Sequence, residues 1–577
     1  MIKPNALRRA LIGICCLHGV AWAAPAEVSV RVQPANNALR DNIQAYIGSV
    51  EGRDVAGLQR LRPATERQAE QAAQALGYYH AQIETRVEPG ETPRLVVEVR
   101  PGEPVRLRNV DIRIEGPARE LRAFRQPIPA GLKAGQPLNQ GLYEDAKSLI
   151  QNQAQRYGFF RGTFTQHQLR IDPATGFADI ALVFDSGPRF VLGKVSFEGN
   201  APFDPDLLQR MVPFAQGTPY DSELIADFQS NLLASGFFDG ARLDTYPKQD
   251  GAAEVPVTVT LRTRKPRTFG FGPGYSTDVG PRLRFTWENH WLNPQGHSLG
   301  AEAELSAPRQ SIATWYDIPG QDPINDKFRF AGGYQYEQIA NDDSLSQLLT
   351  VGPEWHRKFP NGWERVLSLK WRNESYRLGD DEGTSNLVMP GVDFSLLRSD
   401  NRIDPNRGYR LQFGVSAAKE GLLSDANMIH TTALARGLIT VGDGHRFLGR
   451  LQLGGNFTNG YNKVPPSLRF FAGGDQSVRG YDYQTLSPEN DEGDYVGGRY
   501  LVAGGVEYQY PLRDKWRLAT FIDQGSAFND LNNYELKTSV GVGVRWVSPV
   551  GPIRVDLAHG LDEPGGIRLH FSIGTEL

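Results

Sequence analysis

Apolar and polar residues recur with two different periods along this chain, and the change falls just past residue 261. Before it, helical periodicity marks residues 65–76, 142–157 and 222–235. Each stretch runs into a glycine followed by two aromatic residues: Gly77-Tyr78-Tyr79, Gly158-Phe159-Phe160 and Gly236-Phe237-Phe238, spaced 81 and 78 residues apart. Glycine at a helix end supplies a left-handed C-cap cheaply, and the aromatic pair is expected to open a strand. Thr65, with Gln68 three residues on, reads as a capping box at the start of the first helix. Alternating strands close the units at 95–99, 180–184 and 255–261. Two of them pass through Gly102 and Gly187 into new strands at 105–114 and 190–197. Gly135-Gln136-Pro137-Leu138-Asn139 corresponds to Gly217-Thr218-Pro219-Tyr220-Asp221. The pattern predicts three α+β modules of strand, helix, helix, strand, strand at 24–102, 103–187 and 188–265. Their repeated glycines and aromatics are caps and core rather than a binding site.

From Thr268 the period is two. Tyr409, Leu411, Phe413 and Val415 alternate with Arg410, Gln412, Gly414 and Ser416. Phe328, Phe330, Tyr334 and Tyr336 share one parity, as do Val540, Val542, Val544 and Trp546. The last strand sets Ile567, Leu569, Phe571 and Ile573 against Arg568, His570 and Ser572. A soluble sandwich and a membrane barrel both produce this alternation, and aromatics near segment ends suit the barrel. No run of about 18 apolar residues follows the N-terminus, so a helical membrane span is excluded. At about ten residues per strand and as many per connection, residues 268–577 predict an all-β transmembrane barrel of roughly 16 antiparallel strands, filling 266–577. An even count puts both barrel ends on the side of the modules.

The N-terminus and the terminal strand favour the membrane barrel. Lys3, Arg8 and Arg9 precede an apolar core at 10–20, and Ala21-Trp22-Ala23 supplies a cleavage site, so 1–23 reads as a signal peptide. Cys15 and Cys16, the only cysteines, lie inside it, which removes disulfide and thiol chemistry from the mature chain. Ile14 before Cys15 disfavours lipid attachment at a cysteine. A net charge of −4 on 577 residues gives no basic excess for nucleic acid. Nucleophile elbow, HExxH, phosphate loop and paired cysteines are all absent, so neither catalysis nor a cofactor is expected. Glu489, Asp491, Glu492 and Asp494 read as a solvated loop rather than a cation site. Arg262, Arg264, Lys265 and Arg267 read as a basic hinge, or alternatively a contact for phosphate head groups.

Three motifs carry a family likeness: Leu468-Arg469-Phe470-Phe471-Ala472-Gly473-Gly474 leading to Val478-Arg479-Gly480-Tyr481; Phe521-Ile522-Asp523-Gln524-Gly525; and Gly541-Val542-Gly543-Val544-Arg545-Trp546, continuing to Asp556. Behind three modules that resemble POTRA domains, the ordered set resembles the superfamily of BamA, TamA and the two-partner secretion transporters. The module count, the barrel opening Gly274-Tyr275-Ser276-Thr277-Asp278-Val279-Gly280-Pro281-Arg282 and the terminal Glu576-Leu577 are most similar to the TamA branch.

That resemblance implies an outer-membrane factor with a periplasmic arm that inserts or secretes autotransporter-like clients. Its partners would be a TamB-like inner-membrane-anchored protein, unfolded outer-membrane proteins and the lipid bilayer. The alternative it leaves open is a two-partner-secretion pore exporting one dedicated substrate. It also implies that Arg479 lies on a loop folded into the lumen, facing an acidic wall residue, Asp523 first and Glu507 second. Local composition adds a lateral seam. Gly270, Gly272, Pro273 and Gly274 weaken the first strand, and Gly565, Gly566 and Gly574 thin the last one around Ile567, Leu569 and Phe571.

Overall fold

The computed structural model describes residues 26–574, except 126–128, 200–201, 248–250, 340–343, 380, 402, 549–550 and 563–565. The expected signal peptide, Gly565 and the terminal Glu576-Leu577 lie outside the described residues. Three three-stranded sheets come first. One is built from β1 (Glu27–Val32), α1 (Asn37–Ile47), α2 (Val55–Ala75), β2 (Gln82–Glu88) and β3 (Arg94–Arg100). The next has β4 (Arg106–Glu115), α3 (Gln140–Arg156), β5 (Thr163–Asp172) and β6 (Phe177–Asp185), with short 3-10 turns where a first helix would stand. Then come β7 (Val191–Glu198), α4 (Pro205–Arg210), α5 (Ser222–Ala234), β8 (Phe238–Thr245) and β9 (Glu254–Thr263). In each sheet the last strand in sequence is central, in the orders β1-β3-β2, β4-β6-β5 and β7-β9-β8. Central position explains why these strands are the most apolar. Leu95, Val97 and Val99, then Ile180, Leu182 and Phe184, then Val255, Val257 and Val259 are all buried.

Two local expectations need correction. The long helix starts at Val55 and not at Thr65: the Asp54 side chain accepts the Gly57 N–H at 2.7 Å, and Thr65 is buried in mid-helix. Leu58, Thr65, Ala69 and Ala72 sit seven, four and three residues apart, so one buried face runs through the supposed start. Of the aromatic pairs, only Phe237-Phe238 leads directly into a strand; β2 and β5 begin later. Phe160 is instead turned edge-on to Phe190 (5.4 Å) and Tyr220 (4.9 Å).

The repeated glycines do adopt positive φ: 89° at Gly77, 81° at Gly158 and 86° at Gly236. Their surroundings differ. A Cβ at Gly158 would lie 2.7 Å from Cβ of Tyr220, whereas at Gly236 nothing lies within 4 Å. Gly236→Ala should therefore cost about 1–2 kcal/mol, the left-handed strain alone. Gly158→Ala should cost at least about 1 kcal/mol more through the overlap with Tyr220. Urea unfolding of the full chain, followed by proteolysis within residues 140–190 and 222–245, compares the two. Equal losses would remove the Tyr220 contact from the account.

By contact density the chain divides into two units: residues 1–194 with 216–225 and 245–256, and residues 195–215, 226–244 and 257–577. The second contains a closed barrel of sixteen antiparallel strands, each beside its sequence neighbour. They are β10 (Arg267–Ser276), β11 (Gly280–Asn289), β12 (Ser298–Leu305), β13 (Arg309–Pro319), β14 (Asp326–Gln338) and β15 (Leu345–Lys358). The wall continues through β16 (Glu364–Leu378), β17 (Asp381–Ser399), β18 (Arg407–Ala418), β19 (Met428–Val441) and β20 (His445–Thr458). It ends with β21 (Tyr500–Arg513), β22 (Trp516–Phe528), β23 (Lys537–Ser548), β24 (Gly551–Gly560) and β25 (Arg568–Ile573).

Closure settles the sandwich-or-barrel ambiguity, and burial is inverted relative to a water-soluble protein. Phe328, Phe330, Phe413, Val542 and Leu569 are exposed, while Arg446, Asp523, Arg545 and Asp556 are buried. Apolar side chains face outward to lipid and charged ones face the lumen. The basic hinge shrinks as well: Arg262 belongs to β9, where it pairs with Asp239 at 2.5 Å, and Arg267 opens β10.

Candidate functional site

The longest connection among the described barrel strands, residues 459–499 between β20 and β21, reaches the barrel wall from within. Val478 and Tyr481 are fully buried and pack with Ala472, Leu486 and Ala503. Between them Arg479 meets three strands. Its Nε and Nη2 donate to the two oxygens of Asp523 (β22) at 2.7 and 3.1 Å, and Nη1 donates to Glu507 (β21) at 2.8 Å and Asp556 (β24) at 3.2 Å. The guanidinium lies 3.4 Å above the Phe521 ring centroid. Two further arginines complete the network. Arg545 (β23) pairs with Glu507 at 2.8 Å and Asp556 at 2.6 Å, and Arg450 (β20) with Asp523 at 2.7 Å. Three guanidiniums face three carboxylates, so the buried charge is balanced, which a low-dielectric interior requires.

Glycines in the wall make room for this network. In register, Gly505 faces Asp523 and Gly543 faces Asp556. A Cβ on either would overlap the opposing carboxylate. The rest of the loop motif anchors nearby. Gly480, at φ 90°, donates its N–H to Nε2 of His570 (2.8 Å), and the Tyr481 hydroxyl donates to the Thr538 carbonyl (3.0 Å).

Among the described residues the join between β10 and β25 is a single register pair, Ser276 with Ser572, against ten pairs between β10 and β11. Around it Thr277 N–H donates to the Phe571 carbonyl at 3.1 Å, Phe571 N–H to Thr277 Oγ1 at 3.1 Å, and Tyr275 packs edge-on to Phe571. Among the described residues, Gly270, Gly272, Pro273 and Gly274 have register partners on β11 and none on β25. The last strand starts at Arg568, so Gly566 and Ile567 precede it; they are exposed chain and not ladder, which corrects their expected place. Leu569 faces outward from β25.

Side chains reinforce what the ladder lacks. Asp475, in the lumen loop, accepts from Thr277 Oγ1 (2.9 Å) and from Nδ1 of His570 (2.6 Å), and its own N–H donates to the Asp278 carboxylate (2.8 Å). One loop residue thus holds the β10–β11 turn and the last strand together. Asp278, Asp475 and His570 have the spacing of a metal site. However, Gly480 donates into Nε2, so Nδ1 carries the ring proton and offers a metal no lone pair. Burial, and then the neighbouring Asp475, push the Asp278 carboxyl up to about 7.

Folded Asp278 keeps its proton more tightly than the unfolded chain, whose carboxyl titrates near 3.8. Its stabilising share is therefore complete below about pH 4 and lost as pH rises towards 7. The midpoint of heat-modifiable gel migration should be higher at pH 5 than at pH 8, and Asp278→Asn should flatten this difference. An Asp278→Asn chain with the same pH response as the parent would assign the effect elsewhere.

Sequence reasoning gave no role to Arg450, Asp475, Arg545, Asp556, His570 or Asp278. For Arg450, Arg545, Asp556 and His570 the visible signal was a charged or polar residue on the parity opposite the apolar face; Asp475 lies in a loop and Asp278 in a turn, where no such parity exists.

These features define a class: a lipid-facing barrel with a loop ion-paired into its lumen, behind POTRA modules. Residues 265–577 match the Omp85 superfamily domain, and the chain belongs to that superfamily. Residues 29–101 match POTRA domain TamA domain 1, and 190–264 match the surface antigen variable number repeat, a POTRA family. The outer membrane protein assembly factor BamA of Neorickettsia risticii (strain Illinois) is 25% identical over 418 residues, covering 68% of this chain and 55% of its own. BamA of Neisseria meningitidis serogroup B is 22% identical, covering 69% and 58%. The chain spans about half the length of the curated relatives it matches. In fold it is similar to the crystal structure of Haemophilus ducreyi BamA lacking POTRA domains 1–3, with a TM-score of 0.66, 16% identity, and coverage of 81% of this chain and 99% of that one. The protein lies in the outer membrane, with its POTRA modules in the periplasm.

Proposed function

We propose that this protein assembles or secretes other proteins at the outer membrane through its lateral seam. The observation that carries this reading is the β10–β25 join, where among the described residues one register pair closes a barrel whose adjacent ladder has ten. At about 1 kcal/mol net per hydrogen bond, the described ladder at this join contributes less than the neighbouring ladders, with ten pairs to β11 and six between β24 and β25. Among the described residues, the Thr277, Phe571, Asp475 and His570 contacts have to part with it. An opened β10 offers unpaired N–H and C=O groups on which an extended client strand can template. The curated name of the BamA relatives, assembly factor, supports the same activity.

Within that activity we assign the protein the TamA-like role, acting on autotransporter-like clients with a TamB-like inner-membrane-anchored partner. The three modules and the likeness of residues 29–101 to a TamA first POTRA domain support it. Comparing outer-membrane proteomes with and without the protein tests this reading. The expected result is loss of several barrel-bearing clients together. Loss of one secreted protein alone would favour the dedicated pore, and an unchanged proteome would end the proposal.

A further inference from the structure

Arg410, Arg436 and Arg450 stand directly opposite one another on β18, β19 and β20, as successive register partners. Like charges in opposed positions destabilise a sheet. All three lie on lumen parity, since their strand neighbours Tyr409, Ile439 and Leu451 face outward. Arg450 is matched by Asp523 within the balanced network. No carboxylate pairs with Arg410 or Arg436 among the described residues; Arg436 Nη2 reaches only the Gln476 amide oxygen, at 3.3 Å. Arg436, Arg450 and Arg554 line a cavity of about 60 Å³ that extends to His570 and Ser572 on the last strand. One water needs roughly 10–15 Å³, so this space admits a group of several heavy atoms. Glu507 and Asp556, which also border it, are committed to Arg479 and Arg545, and Asp475 is turned to Thr277 and His570.

We propose that Arg436, Arg450 and Arg554, backed by Arg410, form a lumenal binding site for a phosphate-type oxyanion beside the seam. Planar guanidinium forks bind tetrahedral oxyanions through paired N–H donors. A bound anion would offset the repulsion along the row. The ligand is either free phosphate or the phosphate of a lipid head group that enters at the seam. The inference goes beyond the assembly reading and does not rest on it.

Two arms test it on the full chain in zwitterionic detergent. Calorimetry with inorganic phosphate measures the free anion. Native mass spectrometry with phosphatidylglycerol, against an uncharged galactolipid, measures the head group. Phosphate binding alone identifies a free-anion site, and selective retention of phosphatidylglycerol alone identifies a lipid site. In whichever arm binds, Arg436→Gln should weaken affinity about tenfold or more, as loss of one charge-assisted contact implies. Lys419→Gln, on an exposed connection, should not. Arg436→Lys keeps the charge without the fork and should bind several-fold more weakly while migrating as a folded barrel. No binding in either arm, or affinities unchanged in both Arg436 variants, overturns the site.

Discussion

Arg479→Ala should destabilise the barrel by about 3–5 kcal/mol, the range for breaking one side of a buried ion pair. The reason is the charge left behind. Asp523 is completely buried, and Glu507 and Asp556 nearly so. Without Arg479, the three carboxylates keep Arg450 and Arg545 as ion-pair partners, one cation fewer than before. Arg479→Lys should recover little, because an ammonium cannot span both Asp523 oxygens while also reaching Glu507. Removing Asp523 as well should restore part of the loss, since it takes away one unpaired charge. The midpoint of heat-modifiable migration reads stability, and protease cleavage within 459–499 reads release of the loop. A barrel of unaltered stability and client assembly after Arg479→Ala would reduce the network to decoration.

A disulfide across the join should have the second large effect. Ser276 and Ser572 are register partners, and opposed residues of antiparallel strands lie within bridging distance. With Cys15 and Cys16 confined to the expected signal peptide, Ser276→Cys with Ser572→Cys introduces the pair without competitors. Client assembly should fall at least tenfold when oxidised and return with a reductant, since a covalent bridge cannot part at the energies that open one ladder pair. A control bridge between Ser395 and Gln412, register partners inside the wall, should leave assembly intact. Full activity with the seam locked would refute lateral opening.

Much of the architecture was legible because its causes are local. Positive φ at Gly77, Gly158 and Gly236 follows from helix termination, and alternation of outward Tyr409, Leu411 and Phe413 with inward Arg410 and Gln412 follows from the pleat. Where local signals competed, the reading slipped. Thr65 and Gln68 imitate a helix start, but the buried face continues back through Leu58 to a better cap at Asp54. Gly566 looked like part of the last strand, yet the ladder with β24 begins only at Arg568.

The lumen site divides the same way. The motif Val478-Arg479-Gly480-Tyr481 was visible in sequence, and the family resemblance implied Asp523 and Glu507 as its partners, but the convergence of Arg545, Arg450 and Asp556 on them was not visible. Each residue lies on a different strand, and which of them meet depends on register and stagger accumulated around a closed wall. The amino-acid sequence by itself determined module repeats, strand count and which face meets lipid, because periodicity and glycine chemistry act within a few residues. Only the tertiary structure decided how thin the join is, that Asp475 bridges it, and that three arginines line up on one wall, because these depend on bringing together residues tens to hundreds of positions apart.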